Sequence, residues 1–152
     1  MDFRVIAVPG HGAEDVVVDP GGSVFTGSED GVIHRVASDG RVTAVANTGG
    51  RPLGIELLPD GRLLVCDARR GLLAVDPSSG AIEDLAGGMR FCNNAAVAAD
   101  GTIYFSDSST VHTIDRWRAE MSQFHMVTGV REHNGRIWMG SLHEPAVAVL
   151  TL

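Results

Sequence analysis

Cysteine is scarce: Cys66 and Cys92 are the only two in 152 residues. A small secreted fold would usually carry a paired framework, so these two read as small buried strand residues in a chain kept in a reducing compartment. No basic run of five or more interrupts a formal net charge of −7, which argues against nucleic acid and anionic membrane surfaces as partners. Long apolar runs are missing too. Val5 to Val8 is soon broken by Pro9, Gly10 and Gly12, so neither a secretory signal nor a membrane span of about 18 residues is expected, and the chain reads as cytoplasmic and soluble. Its length fits one domain with a respectable core.

What is present is a repeat. A turn glycine followed by a short apolar strand ending in a small residue occurs four times: Gly22-Ser-Val-Phe-Thr-Gly-Ser28, Gly61-Arg-Leu-Leu-Val-Cys-Asp67, Ala99-Asp-Gly-Thr-Ile-Tyr-Phe-Ser-Asp-Ser108 and Gly135-Arg-Ile-Trp-Met-Gly-Ser141. The glycines advance by 39, 40 and 34 residues, a period with room for about four short strands, which is β-propeller spacing. The first repeat predicts strands at Asp15 to Asp19, Ser23 to Ser28, Val32 to Val36 and Arg41 to Ala46. The second predicts Gly54 to Leu58, Arg62 to Asp67, Leu72 to Asp76 and Ala81 to Leu85. Pro20-Gly21-Gly22, Pro59-Asp60-Gly61 and Asp39-Gly40 are read as tight two-residue hairpins with positive φ.

The third repeat begins with strands at Asn94 to Ala98 and Thr102 to Asp107, then departs into a stretch whose Asp115-Arg-Trp-Arg-Ala-Glu-Met121 core suggests a helical turn or an excursion loop. The fourth resumes with Val127 to Arg131, Arg136 to Ser141 and Ala146 to Leu150, one strand short. Phe3 to Val8 has no blade of its own and is expected to supply that strand, closing the edge as propellers commonly do. The expectation is therefore an all-β, propeller-like single domain over 1–152, of about three and a half four-stranded blades with an open side.

Stacked on their turn glycines, the repeats place Glu14, Leu53, Asn93 and Val127 eight residues upstream, near the start of each innermost strand and hence at one mouth of the central channel. Two of the four carry oxygen ligands of the kind a hard cation takes. The structural alternative is that Glu14 caps a turn and Asn93 forms an Asx turn.

Gly12-Ala-Glu-Asp-Val-Val-Val-Asp-Pro20, Arg90-Phe-Cys-Asn-Asn94, Tyr104-Phe-Ser-Asp-Ser-Ser109 and Val130-Arg-Glu-His-Asn-Gly135 resemble the strictosidine synthase-like branch of the gluconolactonase and senescence-marker-protein superfamily. The resemblance implies a six-bladed propeller and, for many members, a lactonase or esterase using one divalent cation, with calcium the expected ion here. Glu14 then looks like the first-blade metal ligand on which activity depends, and Asn93 like the asparagine ligand of the third blade. The remaining ligands come from blades this chain does not supply, as though it were spliced near 123–125. Strictosidine synthase itself needs a glutamate where Thr128 stands, so condensation of an amine with an aldehyde is disfavoured.

The implied reaction is metal-assisted hydrolysis of a lactone or ester. Two other readings stay open: a non-catalytic module binding a small molecule or protein loop, and a homodimer in which a second copy completes the ring and duplicates Glu14 and Asn93. Glu132 and His133 read as a solvated turn, and His11, His112 and His143 as surface histidines that a carboxylate could recruit as a base. Asp107-Ser108-Ser109 lacks a nucleophile elbow and reads as a strand end whose hydroxyls satisfy turn amides.

Overall fold

In a computed structural model, which describes residues 2–109, 111–115, 127–133, 136–141 and 146–151, the chain is all-β and propeller-like. β1 (Asp2–Ala7) leads into a first sheet of β2 (Val16–Val18), β3 (Val24–Gly27), β4 (Val32–Val36) and β5 (Val42–Asn47). The second sheet is β6 (Pro52–Leu57), β7 (Leu63–Asp67), β8 (Gly71–Val75) and β9 (Ile82–Ala86). A third has two strands, β10 (Cys92–Val97) and β11 (Ile103–Asp107). The fourth comprises β12 (Val127–His133), β13 (Arg136–Ser141) and β14 (Ala146–Thr151), and β1 joins it as the outer strand.

That last pairing is the predicted closure: β1 runs antiparallel to β14 from Asp2 opposite Thr151 to Ala7 opposite Ala146. Innermost strands pack side by side in the order β12, β2, β6, β10. The excursion is described only to Asp115, with Ile114 and Asp115 helical; the rest of the predicted turn, and the suggested splice near 123–125, lie outside the described residues.

The core is a series of inter-sheet layers. Val16, Val24 and Val36 face Ile6 and Val8 on one side of the first sheet, while Val17, Phe25 and Ile33 meet Ile55, Leu63, Val65, Leu73 and Val75 of the second. The other face of the second sheet, with Leu64, Cys66 and Leu72, meets Cys92, Ala95, Val97 and Ile103 of the third. A strand buried on both faces need not alternate polar and apolar residues, and Leu63 to Cys66 is accordingly apolar throughout.

The hairpin turns correct one expectation. Leu58 and Arg62 flank a loop in which Gly61 N–H donates to the Leu58 carbonyl (3.0 Å), and the same pattern joins Ala37 to Arg41 and Ala98 to Thr102. These are three-residue connections, with the positive φ confined to the last residue: +87° at Gly40, +87° at Gly61 and +86° at Gly101. The middle residue explains the extra length. Asp39, Asp60 and Asp100 each accept a hydrogen bond from the backbone amide two residues on, an Asx turn that a two-residue loop has no place for.

Candidate functional site

At the mouth end, where innermost strands begin and second strands finish, the backbone is held by carboxylates. Asp67 is wholly buried: Oδ1 accepts from the amides of Arg51 (2.9 Å), Arg69 (2.9 Å) and Arg70 (3.0 Å), and Oδ2 from Thr48 Oγ1 (2.7 Å). Asp107, at the matching position of the third repeat, accepts from Phe91 N (2.7 Å) and Arg90 N (3.1 Å). Both stand six residues after a turn glycine, so the repeat itself marks this column. Their lone pairs are engaged by the backbone, so they fasten each blade's start to its second strand.

Glu14 and Asn93 sit where the repeat arithmetic put them, one just before β2 and the other second in β10. Strand β6 lies between, and Leu53 occupies its matching position, buried with Ala68, Phe91 and Ile114. Val127 opens β12. Glu14 is 8% exposed, and its pKa is pushed up to about 7, first because burial disfavours the anion, while the Arg51 guanidinium opposes the rise and Asp15 adds to it. Asp15 ties two blades together, since Oδ1 accepts from Val16 N (2.9 Å) and Oδ2 from Ile55 N (3.2 Å).

Arg51, 1% exposed, is the residue sequence reasoning missed. Its Nη1 donates to the carbonyls of Gly12 (3.1 Å) and Pro52 (3.0 Å), so a cation is built into the mouth beside Glu14. The available signal was an arginine directly before a proline at a blade's start. Asn93 Nδ2 donates to Ser108 Oγ (2.8 Å), which orients the amide, and its Oδ1 is buried without a hydrogen-bond partner.

The remaining candidates do not assemble. His11 is exposed, and His112 lends its amide to Ser109 Oγ (2.8 Å), which also accepts from Val111 N (3.2 Å), so this hydroxyl does satisfy turn amides. Glu132, His133 and Thr128 lie in β12, whose side chains are outside the described residues, as is all of His143. A Ser/His/Asp group does occur in the first sheet but is wired the wrong way for a nucleophile. Ser28 Oγ donates to Asp30 Oδ1 at 2.6 Å and lies 3.0 Å from His34 Nε2. The Ser28 hydroxyl directs its hydrogen at Asp30, so the histidine does not stand between serine and carboxylate as a general base would. Among the described residues, no three His, Cys, Asp or Glu side chains are grouped to hold a metal, and no helix is long and apolar enough to cross a membrane.

Residues 1–36 match the family model "Strictosidine synthase-like, N-terminal". Over 97 residues the chain is 39% identical to "Protein STRICTOSIDINE SYNTHASE-LIKE 4" of Arabidopsis thaliana, covering 57% of this chain and 26% of that protein. It is 34% identical to "Adipocyte plasma membrane-associated protein" of Salmo salar, covering 69% and 31% respectively. The chain is thus similar in sequence to strictosidine synthase-like proteins, and its first 36 residues carry that family's N-terminal pattern. It spans about a quarter to a third of the length of these curated relatives. A gluconolactonase structure from Xanthomonas campestris superposes with a TM-score of 0.61 at 17% identity, over 91% of this chain and 47% of that one. Virginiamycin B lyase from Staphylococcus aureus gives 0.56 at 15%, over 95% and 43%. At such identities the likeness is one of fold.

Proposed function

We propose that this chain carries the first-blade and third-blade part of a divalent-cation site, calcium being the expected ion, in a lactonase- or esterase-like hydrolase. The observation that carries this reading is Asn93: its amide is oriented by Ser108, yet its buried Oδ1 accepts no hydrogen bond. A buried acceptor left empty is costly, and a hard cation would satisfy it. Glu14, buried and reluctant to ionise, would gain from the same charge. A bound cation would polarise a substrate carbonyl and acidify water. Arg51, anchored on Gly12 and Pro52, holds the Glu14 side of the mouth rigid. Thr128, at the position where the resemblance calls for glutamate, leaves amine–aldehyde condensation unsupported.

Calcium titration followed by calorimetry, with lactone and ester hydrolysis measured beside it, tests the proposal. Glu14→Gln and Asn93→Ala should each weaken calcium binding, and chelator should abolish turnover. Full activity in Glu14→Gln, or in excess chelator, refutes it. A second reading, a propeller module that binds a small molecule without turnover, is favoured by Arg51, whose charge beside Glu14 reduces the need for a metal. Binding of a lactone or ester by the folded chain without hydrolysis, with or without calcium, would select it.

A further inference from the structure

Cys66 and Cys92 belong to neither reading of the mouth. Cys66 stands in β7 of the second sheet and Cys92 opens β10 of the third, and both are wholly buried in the layer between, with Leu64 and Leu72. Both thiols are free, and both lie in the one buried cluster where β7 packs against β10. Two free thiols brought from different blades into one closed layer stand where a link between them would join those blades.

We propose that Cys66 and Cys92 form a redox-controlled staple, closing to an intrachain disulfide between the second and third sheets when a hydroperoxide reaches them. The sulfur of one cysteine attacks the peroxide O–O bond, which breaks to leave a sulfenic acid and release one water. The other sulfur then attacks that sulfur; the S–S bond forms, the S–OH bond breaks, and the hydroxide leaves with the second thiol proton as water. Two thiols are oxidised and one hydrogen peroxide is reduced to two waters. Access comes from the third sheet itself, because among the described residues β10 and β11 pair only with each other, and a two-stranded hairpin opens locally at small cost. Once closed, the link spans the long connection from β7 to β10 and fastens the hairpin to the fully formed second sheet.

The test treats the folded chain with hydrogen peroxide, blocks remaining thiols with iodoacetamide, and maps peptides by mass spectrometry without reduction. The expected product is a monomer in which the Cys66 and Cys92 peptides are joined, with Tm raised by on the order of 5 °C and restored to its starting value by a thiol reductant. In Cys66→Ser, Cys92 should stop at the sulfenic acid and be captured by a dimedone-type reagent. Both thiols remaining blockable under peroxide that oxidises the denatured chain would overturn the proposal, as would cross-links forming only between molecules. A correct cross-link that leaves Tm unchanged would overturn the stapling role.

Discussion

The second and third sheets start from the same repeat and end in opposite environments. Leu64 and Val65, three and four residues after Gly61, are wholly buried, whereas Tyr104 and Phe105, at the same distances from Gly101, are 63% and 45% exposed. Strands β7 and β8 are buried at every position; β11 is buried at none. Yet the local wiring is shared, since Asp67 and Asp107 both fasten the start of their blade through backbone amides, and the turn glycines adopt the same conformation. The hairpin and its carboxylate latch are therefore set by local sequence, and burial is set by what packs on either side.

The largest way to disturb that contrast is to open another blade. Deleting residues 1–9 removes β1, leaves β14 as a free edge like β11, and uncovers the layer that Ile6 and Val8 complete. Losing those two side chains alone should cost on the order of 4 kcal/mol in urea unfolding. An unchanged midpoint would mean that the fourth sheet does not depend on its N-terminal strand.

Next come the latches. Asp67→Ala strips partners from one buried amide, two half-buried amides and a buried threonine hydroxyl and should cost about 3 kcal/mol or more, while Asp107→Ala, whose two amides lie nearer solvent, should cost about 1 kcal/mol. Equal losses in the same unfolding experiment would show that the open flank of the third sheet does not relieve its polar groups.

A pH titration separates latch from mouth. Unfolded, Glu14 ionises near 4.5; folded, near 7. Between those values the folded chain keeps a proton that the unfolded chain has lost, so metal-free stability should fall as pH rises through this window, by up to on the order of 3 kcal/mol. Glu14→Gln should flatten the decline, and calcium should oppose it. A decline that persists undiminished in Glu14→Gln would place its origin elsewhere.

Most of this architecture was legible because it is periodic: strand runs, turn glycines and the orphan N-terminal strand follow from spacing, and so does the placing of Glu14 and Asn93 near the starts of innermost strands. What escaped depends on distant partners. Nothing local marks Arg51 as buried, Asp15 as reaching Ile55, or Cys66 as sharing a buried layer with Cys92. The hairpin loops were misjudged by one residue because an Asx turn enlarges them, a detail carried by Asp39, Asp60 and Asp100 and not by the glycines alone.

The smallest effect on stability should come from the open edge itself. Tyr104 is exposed on a strand that, among the described residues, pairs on one side only, in an uncharged run from Thr102 to Ser106. Tyr104→Lys removes little packing, so its unfolding free energy should stay within about 0.5 kcal/mol of the parent. Its association should change more, because a lysine on an edge strand opposes pairing with a second strand. Light scattering, with and without calcium, should show the parent chain associating and Tyr104→Lys remaining monomeric if a second copy covers this sheet. Identical masses for the two would mean that β11 is not where copies meet, and the contrast between the second and third sheets would then persist in solution.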